Sequence, residues 1–262
     1  MPLAMKLATW NVNSIRARQE RALAWLGAAR PDALCLQETK VGDADFPVEE
    51  FRALGYHVAL HGQRTYNGVA IASLEEPRDV VRGLDDGDDD PQARLIAATV
   101  GGVRVISAYC PNGQAPGTDK FAYKLRWFER LSAYLTRRHR PDEPLALCGD
   151  FNVAPEPIDV HDPQAWEGQT MCTLDERAAW RRLCGFGLVD VYRARHPEPG
   201  RYSWWDYRQL AFPFNKGLRI DHVLATEGLA SRCIAAEIDR EARKGKQASD
   251  HAPVVVEFAT AH

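Results

Sequence analysis

Side chains able to bind a metal or carry a proton recur where apolar runs of this sequence end. They fall in five segments: Trp10-Asn11-Val12-Asn13, Gln37-Glu38-Thr39-Lys40, Gly149-Asp150-Phe151-Asn152, Arg219-Ile220-Asp221-His222 and Ser249-Asp250-His251-Ala252-Pro253. Carboxylates, carboxamides and an imidazole are the parts needed to hold Mg²⁺ and attack a phosphodiester. Any one segment alone is weak evidence.

Each segment also has a plainer reading. Asp150 and Asn152 are two apart after a buried strand, so in extended chain they point the same way. Gly-Asp-x-Asn is equally good turn material. Glu38 at the end of a buried run is costly unless paired or metal-bound, and Lys40 offers a surface ion pair. Asn11 and Asn13 could serve a turn or cap the next helix. Asp221 sits among apolar residues and needs a partner. Asp250-His251 offers one, and an Asp–His pair can raise the imidazole pKa so that it meets a phosphate as a cation. Tyr109, before Cys110-Pro111-Asn112, is a half-buried strand residue or a phenol donor to a phosphate. The segment from Tyr202 to Tyr207, with Trp204, lies between Arg201 and Arg208; such interleaving suits stacking on nucleic acid, or core packing. Taken together, the five segments outweigh the structural readings. A P-loop and a Ser-His-Asp elbow are absent.

These residues need strands to position them. Residues 6–10, 33–36, 56–60, 68–73, 95–100, 103–109, 145–148, 220–224 and 254–258 read as strands, many of them continuous apolar runs. Residues 17–29, 48–54, 120–138 and 174–184 read as helices; in the longest, Phe121, Leu125, Phe128, Leu131 and Leu135 share a face. About ten strands with few helices exceed a simple doubly wound sheet and suit two packed sheets with helices outside. The chain has 262 residues, 45% hydrophobic and 26% charged, with no composition break or internal repeat. One domain spanning 1–262, with a core from about 5 to 259, is expected. Residues 1–4 read as an extension.

The net charge of −3 is not that of a non-specific nucleic-acid binder. Basic residues nonetheless cluster: Arg16, Arg18 and Arg21; Lys120, Lys124 and Arg126; Arg201, Arg208, Lys216 and Arg219; Arg243, Lys244 and Lys246. The acidic run at 85–90 reads as a solvated loop. The six cysteines form no C-x-x-C pair and read as buried thiols. With no signal-like segment and no stretch of ~18 apolar residues, a cytoplasmic protein without a membrane span is expected.

The ordered motifs, with Tyr109-Cys110-Pro111-Asn112, Tyr202-Ser203-Trp204-Trp205-Asp206-Tyr207-Arg208 and Gly217-Leu218-Arg219-Ile220-Asp221 added, resemble the exonuclease III family of abasic-site DNA endonucleases. The likeness spans about residues 6–258. It implies an α/β four-layer sandwich, two mixed β-sheets face to face with helices outside. It implies Mg²⁺-dependent cleavage, with Mn²⁺ as substitute, of double-stranded DNA 5′ to abasic sites. The products would be a 3′-hydroxyl and a 5′-deoxyribose phosphate, with 3′→5′ exonuclease action and processing of blocked 3′ ends beside it. A monomer, nucleoid-associated when on DNA, is expected.

By resemblance, Glu38 is the main metal ligand, with Asn11, Asp150, Asn152, Asp250 and His251 around the metal. Asp150 orients or deprotonates the water, Asn152 and Tyr109 bind the phosphate, and Asp221 orients His251 against it. Asn13, Asn112 and Lys120 grip the flanking backbone. Trp204, Leu218 and Ile220 line a pocket for the flipped baseless sugar, and Arg208 enters the groove. His222, beside Asp221, departs from the pattern and either perturbs the Asp221–His251 pair or faces away from it. The alternatives are a related phosphodiesterase acting on non-DNA substrates and a catalytically silent DNA-binding module.

Overall fold

The computed structural model describes residues 4–88 and 90–260. Twelve strands fall into two six-stranded sheets. The first contains β1 (Ala4–Asn11), β2 (Ala33–Gln37), β3 (His57–His61), β4 (Val69–Ser73), β11 (Cys233–Ile238) and β12 (Val254–Ala259), in the order β11-β12-β1-β2-β4-β3. The second contains β5 (Arg78–Arg82), β6 (Leu95–Val100), β7 (Val103–Tyr109), β8 (Leu145–Asp150), β9 (Leu188–Asp190) and β10 (Asp221–Thr226), in the order β5-β6-β7-β8-β10-β9. In each sheet one central pair is parallel, β1 with β2 and β7 with β8, and the other pairs are antiparallel. Both sheets are therefore mixed, as expected.

The two sheets share a connectivity that residue-by-residue reading of the sequence does not reveal. In one half, β1, α1 (Ile15–Ala29), β2, α2 (Val48–Ala53), β3 and β4 follow in order. In the other, β7, α3 (Asp119–Arg138), β8, α4 (Leu174–Cys184), β9 and β10 do the same. A hairpin extends each sheet beside its first parallel strand: β5-β6 before β7, and β11-β12, supplied by the C-terminal part of the chain, beside β1.

Alternation along the strands builds the layers. On β2, Ala33 and Cys35 face the second sheet, while Leu34 and Leu36 face α1 and α2 with Trp10, Leu26 and Phe51. On β8, Ala146 and Cys148 join the inter-sheet core, while Leu145 and Leu147 pack on Trp127, Phe128, Leu131 and Trp180 of α3 and α4. Burial on both faces accounts for continuous apolar runs rather than alternating ones. The result is the expected four-layer sandwich.

Three readings change. Ala4 already belongs to β1, so the extension is shorter than expected and residues 1–3 lie outside the described part. The edge strands β5 and β9 carry polar or short segments and give little hydrophobic signal, and edge strand β11, apolar at five of six positions, falls outside the strands expected from the sequence. In the acidic loop, Asp86, Asp88 and Asp90 pair with Arg130 of α3, while Asp89 lies outside the described residues.

Candidate active site

Both parallel pairs end at the same edge of the sandwich. Register places Asn11 opposite Gln37 and Tyr109 opposite Asp150. Asp221 faces Asp150 across the antiparallel β8–β10 pair. The chemistry thus gathers beyond the carboxyl ends of parallel strands, where α/β sheets present ligands. Gly149 lets Asp150 reach this edge, because a side chain there would drive into the Ala108 carbonyl of β7.

Asn11 organises the carboxylates. Its Nδ2 donates to Glu38 Oε1 at 2.7 Å and to Asp150 Oδ2 at 2.9 Å. Its Oδ1 accepts the Asn13 N–H at 2.9 Å. Glu38 also pairs with Lys40 Nζ at 2.7 Å, so the ion pair and the site coexist. Lys40 in turn donates to Asn13 Oδ1 at 2.7 Å. Glu38, Asp150 and His251 bring one ligand atom each within 4.8 Å of one another, a grouping able to hold a metal ion.

His251 is fixed from three sides. Nδ1 lies 2.9 Å from Asp221 Oδ2, and Nε2 lies 3.8 Å from Asp150 Oδ2. Its carbonyl accepts from Trp10 Nε1, and its N–H donates to Ser249 Oγ. Burial disfavours the imidazolium, but Asp221 and Asp150 outweigh it and carry the pKa up to about 10. As a cation His251 suits a phosphate oxygen; as a neutral imidazole its Nε2 could join Glu38 and Asp150 at a metal. Burial pushes Asp150 up to about 7, with His251 opposing and Asp221 adding to the rise. Burial also raises Asp250, but His251 and bonds from Trp204 Nε1 (3.0 Å) and Asn13 Nδ2 (2.9 Å) hold it below the usual range. Burial and the Glu38 and Asp150 carboxylates keep the Tyr109 phenol protonated well above its ordinary value.

Asn152 takes a left-handed φ of 50°. Its N–H donates to Asp150 Oδ1 at 2.9 Å, and its Nδ2 donates to the Cys110 carbonyl at 3.0 Å. Asn112 Nδ2 donates to Asn152 Oδ1 at 3.1 Å.

The other predicted residues sit farther out. Lys120 is exposed at the start of α3 and has no part in this hydrogen-bond web. Arg208 is exposed and bound to Asp206 at 2.7 Å. Trp204 borders the site through Asp250. Leu218 and Ile220 are 0% and 1% exposed, packed with Met171, Cys172, Trp166 and Trp204. They underlie a closed apolar cluster rather than line an open pocket. His222 faces away from Asp221: Nδ1 accepts from Arg219 at 2.8 Å, Nε2 donates to the Val153 carbonyl at 3.0 Å, and the ring lies 4.4 Å from Trp180.

Several supporting residues escape a reading of the sequence. The Ser203 hydroxyl donates to Asp221 Oδ2 at 2.6 Å and accepts the Ile220 and Asp221 N–H groups. Lys124 is fully buried, with Nζ bonded to the Asn112 and Asn152 carbonyls and to Glu176. Its position three after Phe121 and four before Phe128 puts it on the apolar face of α3. The capping box at Thr173–Glu176 marks its partner. Arg219, counted in a basic cluster of the sequence, is buried between Asp159 and Asp190, each at 2.7 Å.

Comparison with known proteins agrees with this geometry. The Endonuclease/Exonuclease/phosphatase family matches residues 8–251. Exodeoxyribonuclease III of Haemophilus influenzae is 36% identical over 97% of this chain and 100% of its own length. An AP endonuclease from Archaeoglobus fulgidus superposes with a TM-score of 0.94 at 44% identity, covering 98% of this chain and all of that one. A 3′ phosphatase from Neisseria bound to a product DNA hairpin does so with a TM-score of 0.94 at 43% identity and the same coverage. Among the described residues, no helix is long and apolar enough to cross a membrane. The chain belongs to the Endonuclease/Exonuclease/phosphatase family, and within it to the exodeoxyribonuclease III and AP endonuclease group of nucleases.

Proposed function

We propose that this nuclease is a Mg²⁺-dependent DNA-repair phosphodiesterase that accepts Mn²⁺ in place of Mg²⁺. It cuts duplex DNA 5′ to abasic sites, leaving a 3′-hydroxyl and a 5′-deoxyribose phosphate, and it processes blocked 3′ ends with 3′→5′ exonuclease action. It works as a cytoplasmic monomer, nucleoid-associated when on DNA. The observation that carries this reading is the convergence of Glu38 Oε1 and Asp150 Oδ2 on Asn11 Nδ2, with His251 Nε2 3.8 Å from the same Asp150 oxygen.

The donor set fits a hard divalent cation: Glu38 and Asp150 supply carboxylate oxygens, with Asn11, Asn152 and Asp250 around them. The metal, when bound, supplies positive charge against phosphate oxygens and polarises a water. His251 faces the phosphate as a fixed cation, and Asp221 holds its ring. Asp150, near neutrality in its proton affinity, takes a proton from the attacking water, a role worth typically 10²–10⁴-fold. Asn152 and the protonated Tyr109 donate to phosphate oxygens. Such preset donors stabilise charge as it develops.

One observation favours a second reading, in which 3′-end processing outweighs abasic incision. Burial of Leu218 and Ile220 beneath Met171 and Trp204 leaves a flipped sugar no room unless those side chains move.

The test is a duplex carrying one tetrahydrofuran abasic analogue, incubated with Mg²⁺ or EDTA, beside the Asp150→Asn variant and a 3′-phosphate duplex. A Mg²⁺-dependent nick 5′ to the analogue, absent in the variant, is expected. Release of 3′-phosphate without any nick would replace abasic incision by 3′-end processing. Neither product with Mg²⁺ or Mn²⁺ would overturn the DNA assignment.

A further inference from the structure

Two of the basic clusters in the sequence, one at the start of α1 and one near residue 243, become a single cluster in the fold. Arg18 donates to the Asn13 carbonyl at 2.5 Å and to the Tyr207 hydroxyl at 3.0 Å. Arg21 donates to the carbonyls of Ala242, Lys244 and Lys246. Arg243 lies 5.0 Å over the Tyr207 ring and is 8% exposed. Its one hydrogen bond goes to the Trp205 carbonyl at 3.5 Å. All three guanidinium groups leave a buried Nε without a partner.

Every partner of these arginines is neutral. Among the described residues none of the three has a carboxylate within ion-pair distance. Asp250, the nearest acid of the site, is already bound by Asn13 and Trp204. Elsewhere this chain pairs its buried arginines closely, as with Arg219 between Asp159 and Asp190. Three cations, Arg243 buried and Arg18 and Arg21 half-buried, are held together without an ion-pair partner, which is unfavourable; burial first, then Arg18 and Arg21, lower the Arg243 pKa against the raising influence of Tyr207 and Asp250. The cluster also joins the catalytic edge directly, through Asn13 and through Tyr207, whose hydroxyl donates to the Ala248 carbonyl.

Resting on the nuclease reading above, we infer that Arg18, Arg21 and Arg243 form a binding site for a backbone phosphate of the DNA strand flanking the scissile bond. A phosphate supplies the missing negative charge, and its oxygens suit guanidinium donors. Exposed Lys246 extends the positive surface outward from it, while Lys244 is paired with Glu241 at 2.7 Å. The site accounts for DNA affinity in a chain whose net charge is −3.

The experiment is fluorescence anisotropy with a labelled abasic-analogue duplex in EDTA, from 50 to 200 mM NaCl. It compares the wild type with Arg18→Gln, Arg243→Gln and Arg140→Gln. Arg140 is exposed beyond the far end of α3 and paired with Asp142, so it controls for net charge. Each of the first two variants is expected to flatten the slope of log K against log salt by about 0.9, the loss of one phosphate contact. The control keeps the wild-type slope. Wild-type slopes in both Arg18→Gln and Arg243→Gln, or an equal flattening in the control, would overturn the phosphate site while leaving the nuclease reading standing. A wild type that binds no DNA at any salt would overturn both. Arg18 is only half-buried, so its variant keeps the test decisive if Arg243→Gln fails to fold.

Discussion

His251 Nδ1 and Asp221 Oδ2 lie 2.9 Å apart, and the Ser203 hydroxyl donates to that same carboxylate oxygen at 2.6 Å. The ring is thereby aimed with Nε2 toward Asp150. The carboxylates outweigh burial and hold the imidazole pKa at about 10, so the cation persists through neutral pH and is lost as pH rises through that value. Asp221→Asn removes one of the two charges. The expected result is a fall in kcat of about 10²–10³-fold, the scale of losing one preset charge-stabilising group. The alkaline limb of the pH–rate profile is expected to move down from about 10 toward the ordinary value near 6.5. A lowered rate with an unmoved limb would show that another group sets that limb.

The elements that carry the site were legible because burial on both faces makes strands such as β2 and β8 uninterrupted apolar runs. A polar residue closing such a run marks the sheet edge, which is how Glu38, Asp150 and Asn11 stand out. The edge strands were harder: β5 reads Arg78-Asp79-Val80-Val81-Arg82, with polar ends and only the partly buried Val80 and Val81 packed on the cores. Lys124 was counted in a basic cluster because its partner, Glu176, lies 52 residues away in another helix. Arg219 was misplaced for the same reason, since Asp159 and Asp190 meet it only after the sheets close. The three-arginine cluster shows the reverse case: the charges are visible in the sequence, and only the fold shows that they share no acid.

Lys124 Nζ bonds the Asn152 carbonyl at 2.7 Å and the Asn112 carbonyl at 3.1 Å, and so fixes the turn that presents Asn152. Lys124→Met leaves Glu176 buried without its cation and is expected to cost about 3–5 kcal/mol of stability. The double variant Lys124→Met, Glu176→Gln removes that stranded charge. It is expected to regain most of the stability in urea melts but to keep a kcat well below wild type, because the turn is still untied. Full recovery of kcat in the double variant would assign Lys124 to folding alone.

Met171 takes a φ of 76°, a region that favours glycine, and its side chain packs over Leu218 and Ile220. Met171→Gly relieves the backbone and opens the apolar cluster at once. Abasic incision relative to 3′-phosphate release is expected to rise several-fold, read from the two duplexes in parallel. The loss of packing, about 2–5 kcal/mol for a buried methionine cut to a small residue, is partly offset by the relaxed φ. An unchanged ratio would mean that the sugar enters elsewhere.

Arg219 offers a test outside the catalytic hydrogen-bond web. Burial would raise the Asp190 pKa, but Arg219 outweighs it and holds it far below the ordinary carboxylate value. Burial likewise opposes Asp159, which Arg219 and Arg193 keep low. A depressed carboxylate contributes stability that is present above its unfolded value near 3.9 and is lost as pH falls below that value toward the folded one. Arg219→Met strands Asp190 and leaves Asp159 with Arg193 alone, so a deficit of about 3–5 kcal/mol is expected at pH 7. On acidification the variant neutralises its stranded acid by taking up a proton, while below about pH 4 the wild type begins to lose its ionic advantage. The deficit should therefore shrink from pH 7 to pH 4, measured by urea unfolding at each pH. A deficit constant across that range would assign the loss to packing of the Arg219 side chain, which lies 5.6 Å from the Tyr192 ring centroid, rather than to charge.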